Sequence, residues 1–378
     1  MSVWDDVVGQ EQAVATLSAA VADPAAMTHA WLLTGPPGSG RSNAARAFAA
    51  ALQCEQGGCG VCQACRTVLA GTHPDVTLVA TELVTIKIEE VRELVTVASR
   101  SPSQGRRRVI VVEDADRMSE RTTNVLLKAV EEPAPHTVWV LCAPSPQDVL
   151  VTIRSRCRGV VLRVPPVDAV ARLLVERDGV DPALAEEAAR AAQSHVGLAR
   201  RLARDADARS RRSSVLALAR RIRGVGDAVL AAGDLVELAQ AEARAATEER
   251  DADEKAELLR ALGVTDGETL PPRLRSQVRE LEADQKRRAT RHQRDVLDRA
   301  MVDLLSLYRD VLVVQLGADV DLVNTGLAET VRTLAADSTP EQTVRRMDAI
   351  GVARERLEGN VAPLLAVEAM TIALRPQG

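Results

Sequence analysis

The sequence predicts an α/β domain with a parallel sheet at the N-terminal end and helices alone after it. Three observations carry this. Short apolar runs alternate with helix-like segments over residues 1–166. Strand signals stop from about residue 167. Between the first apolar run and the first clear helix stands Gly35-Pro36-Pro37-Gly38-Ser39-Gly40-Arg41-Ser42. That octet meets the phosphate-loop pattern G-x-x-x-x-G-K-[ST] at every position but the lysine, which is Arg41.

The elements follow in order. His29 to Leu33 is an apolar strand entering the loop, and Ser42 to Leu52 an alanine-rich helix leaving it. Asp75 to Ala80 is a second strand, Ile88 to Val97 an amphipathic helix, and Arg108 to Val112 a buried strand ending at Glu113-Asp114. Thr122 to Val130 is a helix stopped by Pro133, and Thr137 to Cys142 another buried strand. Pro165-Pro166 marks the first boundary. Residues 167–207 form a small bundle of two or three helices, with Gly197 separating the last from the one before. Residues 208–378 form a larger all-α domain, in which Gly263 to Pro272 is a loop between two charged helices. Thr339-Pro340-Glu341-Gln342 opens the final helices with a capping box.

At 378 residues the chain has room for two or three domains. Its five aromatic residues leave the core to Ala, Val and Leu. Lysine is confined to four positions while arginine abounds, the signature of a GC-rich genome. A net charge of −5 argues against a protein coated with nucleic acid, while leaving room for local basic surfaces. The clusters Arg209/Arg211/Arg212, Arg220/Arg221/Arg223 and Lys286/Arg287/Arg288 are expected to be solvated helix faces. MSVWDDVVGQ lacks the basic-then-apolar pattern of a signal peptide, and no run approaches the roughly 18 apolar residues of a membrane span. A cytoplasmic protein without a membrane partner is therefore expected, and its cysteines point to metal rather than disulfides.

Four groups of residues carry chemistry. Backbone amides around Gly35, Pro36, Gly38, Ser39 and Gly40 can close on a phosphate, and the helix that follows favours an anion. Ser42 is the expected Mg²⁺ ligand for bound ATP or ADP. Arg41 keeps the charge of the missing lysine but is a planar fork rather than a point charge. Glu113 and Asp114 stand at a strand end, where a metal-nucleotide site wants acids. Capping of the next helix is the plainer role for Asp114. Cys54-x4-Cys59-x2-Cys62-x2-Cys65 is a compact metal-ligand set. Structural Zn²⁺ suits it. An iron–sulfur cluster is the alternative, and in plant-type ferredoxins the fourth cysteine lies far away. Cys142 and Cys157 are expected to be buried apolar residues. Ser155-Arg156-Cys157 follows the last strand and has no meaning by itself.

Together these segments resemble bacterial clamp-loader subunits of the AAA+ class, most closely the delta-prime group of DNA polymerase III. The likeness is carried by Trp4 to Gln10, His29 to Leu32, the phosphate loop, the four cysteines, His73-Pro74-Asp75 and Ile86 to Arg92. It continues through Val112 to Met118, Asn124 to Pro133 and Thr152 to Cys157, and covers residues 1 to about 160. Gly197-x-x-Arg200 and Asn360 to Glu368 extend it weakly.

The resemblance implies an AAA+ domain over 1–166 with a zinc module at 54–65, a lid over 167–207 and a collar over 208–378. It implies a hetero-oligomeric pentamer with tau/gamma and delta subunits that loads a sliding clamp on primer-template DNA. Arg156 would be an arginine finger reaching ATP on a neighbouring subunit. Val7 and Val8 would lie near adenine, and Arg200 would be a sensor arginine. Hydrolysing tau/gamma subunits keep the loop lysine, an Asp-Glu order and a polar sensor, whereas this chain has Arg41, Glu113-Asp114 and Ala143-Pro144-Ser145. A non-hydrolysing stator is the resulting expectation. A tau/gamma-type ATPase that tolerates Arg41 is the alternative.

Overall fold

In a computed structural model, residues 2–81, 85–261 and 275–376 are described. By contact they form two compact units, Met1–Asp205 and Ala206–Gly378. The proline pair at 165–166 lies inside the first unit. The loop expected over Gly263 to Pro272 lies outside the described residues.

The first unit opens with a 3-10 turn, Val3–Asp6, and helix α1 (Glu11–Ala22). Strand β1 (Ala30–Thr34) runs into the phosphate loop and helix α2 (Arg41–Gln53), and α3 (Gln63–Leu69) follows the cysteines. Then come β2 (Val76–Val79), α4 (Ile88–Ala98), β3 (Arg108–Val112), α5 (Glu120–Glu131), β4 (Thr137–Ala143), α6 (Val151–Arg154) and β5 (Arg158–Val161). The five strands form one parallel sheet in the order β2-β3-β4-β1-β5. A parallel sheet is covered on both faces, so its central strands are continuously apolar. Alternate residues feed two cores here. Trp31, Leu33, Val109, Val111, Val138 and Val140 face the side of α1, α2 and α3. Leu32, Ile110, Trp139 and Leu141 face the side of α4, α5 and α6. Phe48 of α2 meets Trp31 edge-on, with ring centroids 5.2 Å apart.

Three helices complete this unit: α7 (Val167–Asp178), α8 (Pro182–Ala191) and α9 (Val196–Arg204). Gly197 does not separate α8 from α9, because it is the second residue of α9. The break falls at Gln193 and Ser194, both with left-handed backbones (φ 47° and 65°).

The second unit is helical throughout its described regular elements: α10 (Ala206–Arg221), α11 (Val225–Ala261), α12 (Arg275–Leu316), α13 (Ala328–Ala336), α14 (Pro340–Glu358) and α15 (Pro363–Leu374). The capping box of α14 forms as expected, with Thr339 as N-cap and Gln342 reaching back. The apolar core takes α11 up to Ala239 and α12 from Val296 onward. Beyond it charge pairs join the two helices, alongside the buried Ala243 and Val278. Lys255 reaches Glu282 at 2.7 Å, and Arg288 pairs with Asp251 at 2.8 Å and also with Glu254. The basic clusters are thus not uniformly solvated. Arg288 and Arg212 are both largely buried, and Arg212 binds Asp303 at 2.8 Å and Asn324 at 2.6 Å. No helix among the described residues is long and apolar enough to cross a membrane.

Candidate functional site

The phosphate loop is built by the end of β1 and the start of α2. Gly38 has φ +88°, and a Cβ there would stand 3.1 Å from the Cα of His195, so glycine is needed both for the turn and for the close approach. Among the described residues, the amides of Gly38, Gly40, Arg41 and Ser42 have no acceptor within the protein. The Ser39 hydroxyl is buried and also unpartnered. A cavity of about 320 Å³ opens over this cradle, floored by Pro36 to Asn43 and roofed by His195, Val196, Gly197 and Arg200. Unpaired amides, an orphaned hydroxyl and a 13-residue helix starting at the loop suit a phosphate group.

Arg41 bends back so that its guanidinium donates to the Gly35 carbonyl. Its charge is thereby partly committed to the loop itself.

Several residues singled out from the sequence meet here: Pro36, Gly38, Ser39, Gly40, Arg41, Ser42 and Arg200 all line the cavity, and Gly35 supports Arg41 from beneath. Arg200 is held at 2.8 Å by Asp178 of α7. Val7, Val8, Glu113, Asp114 and Arg156 are not part of its lining. Val7 is buried at the end of the 3-10 turn, and Val8 is half-buried beside it.

The two acids at the end of β3 already have partners. Glu113 pairs with Arg46 of α2 at 2.9 Å. Asp114 accepts from the Thr81 amide at 3.1 Å and lies 3.7 Å from Arg117. It occupies the N-cap position of the next turn, yet its side chain makes no cap bond there. Asp116 was not among the sequence candidates. Burial pushes its carboxyl above the usual range, with Asp114 adding to the effect. Arg156, after α6, pairs with Glu131 of α5 and donates to the Thr152 carbonyl at 2.6 Å. It remains partly exposed.

The four cysteines form a second site. Cys54 ends α2 and Cys62 caps α3. All four sulfurs lie within 4.8 Å of one another, with Cys54 3.7 Å from both Cys59 and Cys62. Tetrahedral thiolates about 2.3 Å from one ion would be about 3.8 Å apart, so the cage fits a single ion. A two-iron core needs a wider set. Amide-to-sulfur bonds of 3.4 Å from Cys59, Cys62 and Cys65 brace the cage. Burial raises the Cys54 thiol, but amides from Cys59, Gly58 and Gln56 outweigh it and bring it down to about 6. Burial pushes Cys65 up. Cys142 and Cys157 lie apart from this cage. Burial raises both thiols, Cys157 to about 12, as befits packed apolar residues.

Residues 9–166 match the family described as DNA polymerase III, delta subunit. Relatives carry both subunit names. The gamma/tau subunit of Mycobacterium tuberculosis is 36% identical over 183 residues, 46% of this chain and 32% of the relative. The delta' subunit of Pseudomonas aeruginosa is 40% identical over 135 residues, 34% of this chain and 41% of the relative. That of Bacillus subtilis is 33% identical over 162 residues, covering 42% and 49%. The chain thus spans a third to a half of the length of these curated relatives. Among solved structures, a gamma subunit-related protein of Thermotoga maritima aligns over 96% of this chain and 98% of its own, at 16% identity and a TM-score of 0.42. The matched residues form a five-stranded parallel sheet with a phosphate-type loop and a four-cysteine insert, and a mostly helical region follows.

Two residues of this unit that sequence reasoning gave no role position the loop. Gln10, buried, donates to the Ser39 carbonyl at 3.1 Å and to the Arg163 carbonyl at 2.5 Å, and accepts from the Arg163 amide at 3.0 Å. His195 caps α9, accepting from the Leu198 amide at 3.3 Å through Nδ1, and packs on Gly38. A glutamine just before a helix and a histidine just before Gly197 were the available signals.

Proposed function

We propose that this chain is a delta-prime-type subunit of a bacterial clamp loader, a stator that does not hydrolyse ATP itself. Its relatives include both delta' and tau/gamma subunits, so the distinction rests on the site. The observation that carries it is Arg41. The residue replacing the loop lysine is turned onto the Gly35 carbonyl, while Glu113 is engaged by Arg46. A loop of this kind can hold ATP or ADP with Mg²⁺ on Ser42, while Glu113 is committed to Arg46 rather than free to orient an attacking water. Bound nucleotide would supply phosphate charge for the amides of Gly38 to Ser42, with Arg200 as the lid's cation.

Arg156 is then donated in trans to ATP on a neighbouring tau/gamma subunit, leaving Glu131 on assembly. Such a finger contributes about 10³ to 10⁵ in rate. Zinc is the ion we assign to Cys54, Cys59, Cys62 and Cys65, as a structural centre with no open position. Residues 167–207 act as the lid and 208–378 as a collar in a hetero-oligomeric pentamer with tau/gamma and delta. That assembly takes the sliding clamp and primer-template DNA as its substrates.

The test is DNA- and clamp-stimulated ATP hydrolysis by the reconstituted complex, comparing wild type with Arg156→Ala, and with this chain alone. A stator predicts an inert single chain and a large fall in the variant complex with assembly intact. Turnover by the single chain near that of the complex would favour a tau/gamma-type motor. Unchanged turnover in the variant would reduce Arg156 to an interface contact.

A further inference from the structure

The segment Ser2 to Gln10 touches both sites. At one end it lies on the cysteine knuckle. The Ser2 hydroxyl and the Val3 amide donate to the Gly58 carbonyl at 2.9 and 3.0 Å, and the Trp4 indole donates to the Gly57 carbonyl at 3.3 Å. Gly58 has φ +110°, and a Cβ on it would strike the Val3 side chain at 2.6 Å, so the segment sits flush on the knuckle backbone. In the middle, Asp6 pairs with Arg177 of α7. At the other end, Gln10 bridges Ser39 in the phosphate loop and Arg163 beyond β5. Helix α2 closes the ring from the other side, starting at Arg41 in the loop and ending on Cys54.

We propose that Ser2 to Gln10 is a strap through which the metal-bound cysteine knuckle sets the phosphate loop, with Gln10 as the positioning residue. The proposal rests on the reading of the four cysteines as a metal site. Binding of an ion fixes the Gly57 and Gly58 carbonyls, which fix Val3 and Trp4. The capping box of the turn, in which the Ser2 hydroxyl accepts from Trp4 and Asp5 accepts from the Ser2 amide, keeps the segment stiff. The stiff segment presents Gln10 at a defined height over Ser39. The loop's shape is therefore specified from outside its own eight residues, by a centre at the far end of α2.

Hydrogen exchange on the full chain reads this directly. The Arg163 amide is held by Gln10, whereas the neighbouring Leu162 amide is held by the Thr34 carbonyl at 2.6 Å and has no part in the strap. Metal release by excess chelator should speed exchange at Arg163 about tenfold, the factor worth one such hydrogen bond, and leave Leu162 unchanged. The double variant Val3→Ala/Trp4→Ala should do the same with its metal retained, as should Gln10→Ala. Gln10→Glu, which can accept but not donate, should restore Arg163 alone. Equal acceleration at Leu162 would mean general loosening and overturn the strap. So would an unchanged Arg163 in the double variant. A chain that takes up no zinc or cobalt overturns the metal's part, and the double variant tells that failure apart because its readout needs no metal.

Discussion

Asp75 offers the sharpest test of how this sheet is held together, through Asp75→Asn. The carboxylate is fully buried just before β2 and meets four hydrogen-bond donors and one ion-pair partner. Oδ1 takes the Ser103 amide at 2.7 Å, the Ser103 hydroxyl at 3.0 Å and the Arg108 guanidinium at 3.0 Å. Oδ2 takes the amides of Gln104 at 2.7 Å and Gly105 at 2.6 Å. Burial alone would raise its pKa, but the amides of Gly105, Gln104 and Ser103 outweigh it and bring the group from 3.8 to about 2. That depression is worth about 2 kcal/mol to the charged form. An asparagine must turn its NH₂ toward one of these donor sets. It would strand at least two donors and leave the buried Arg108 without its counter-charge, so the loss should be about 3–5 kcal/mol.

Urea unfolding followed by tryptophan emission isolates the relevant unit, because Trp4, Trp31 and Trp139 all lie in Met1–Asp205. The contribution is present in full above the unfolded pKa of 3.8 and is lost as pH falls through about 2. The gap between wild type and variant should therefore narrow below pH 4. A loss below about 1 kcal/mol at neutral pH, or a gap indifferent to acid, would refute the reasoning.

Gly38→Ala should stiffen the wrong conformation and push against His195, costing about 1–2 kcal/mol in stability and weakening phosphate retention measured by calorimetry. Cys59→Ser should lower metal content per chain and abolish the thiolate-to-cobalt absorption of a cobalt-substituted sample. His73 accepts from the Asp75 amide through Nδ1 at 3.1 Å, and burial lowers its pKa. Its stabilising effect is present above pH 6.5 and should decline below that, a slope that His73→Gln removes in the same urea assay. Arg212→Ala should strip Asp303 and Asn324 of a shared partner and cost about 2–4 kcal/mol in the second unit, followed by far-UV dichroism.

The central strands were legible because burial on both faces forces unbroken apolar runs, as in Arg108 to Val112 and Thr137 to Ala143. Strand β5 was not. It is a sheet edge where only Val160 is buried, so no run marks it. The turn before α9 was misplaced because its left-handed residues are Gln193 and Ser194, while the nearby glycine lies inside the helix. The cysteine cage was fully legible, since spacing alone brings four thiols together. The partners of Glu113 and Asp114 were not, since Arg46 and Thr81 approach only once β2, β3 and α2 are stacked. Basic runs misled for a geometric reason. Successive helical residues point about 100° apart, so in Lys286-Arg287-Arg288 the last turns inward to Asp251 while its neighbours face water.

The two longest helices have a mechanical consequence. From Gln240 to Ala261, α11 runs about 33 Å past the apolar core at about 1.5 Å per residue, with α12 alongside. That makes the pair a lever with its fulcrum in the packed part of the helical unit. A turn of about 10° at the fulcrum sweeps the end of the described helix through about 6 Å, given that length. Because ion pairs clasp the two helices along this stretch beside the buried Ala243 and Val278, part of the lever's stiffness depends on ionic strength, and salt should soften it more than its apolar pivot.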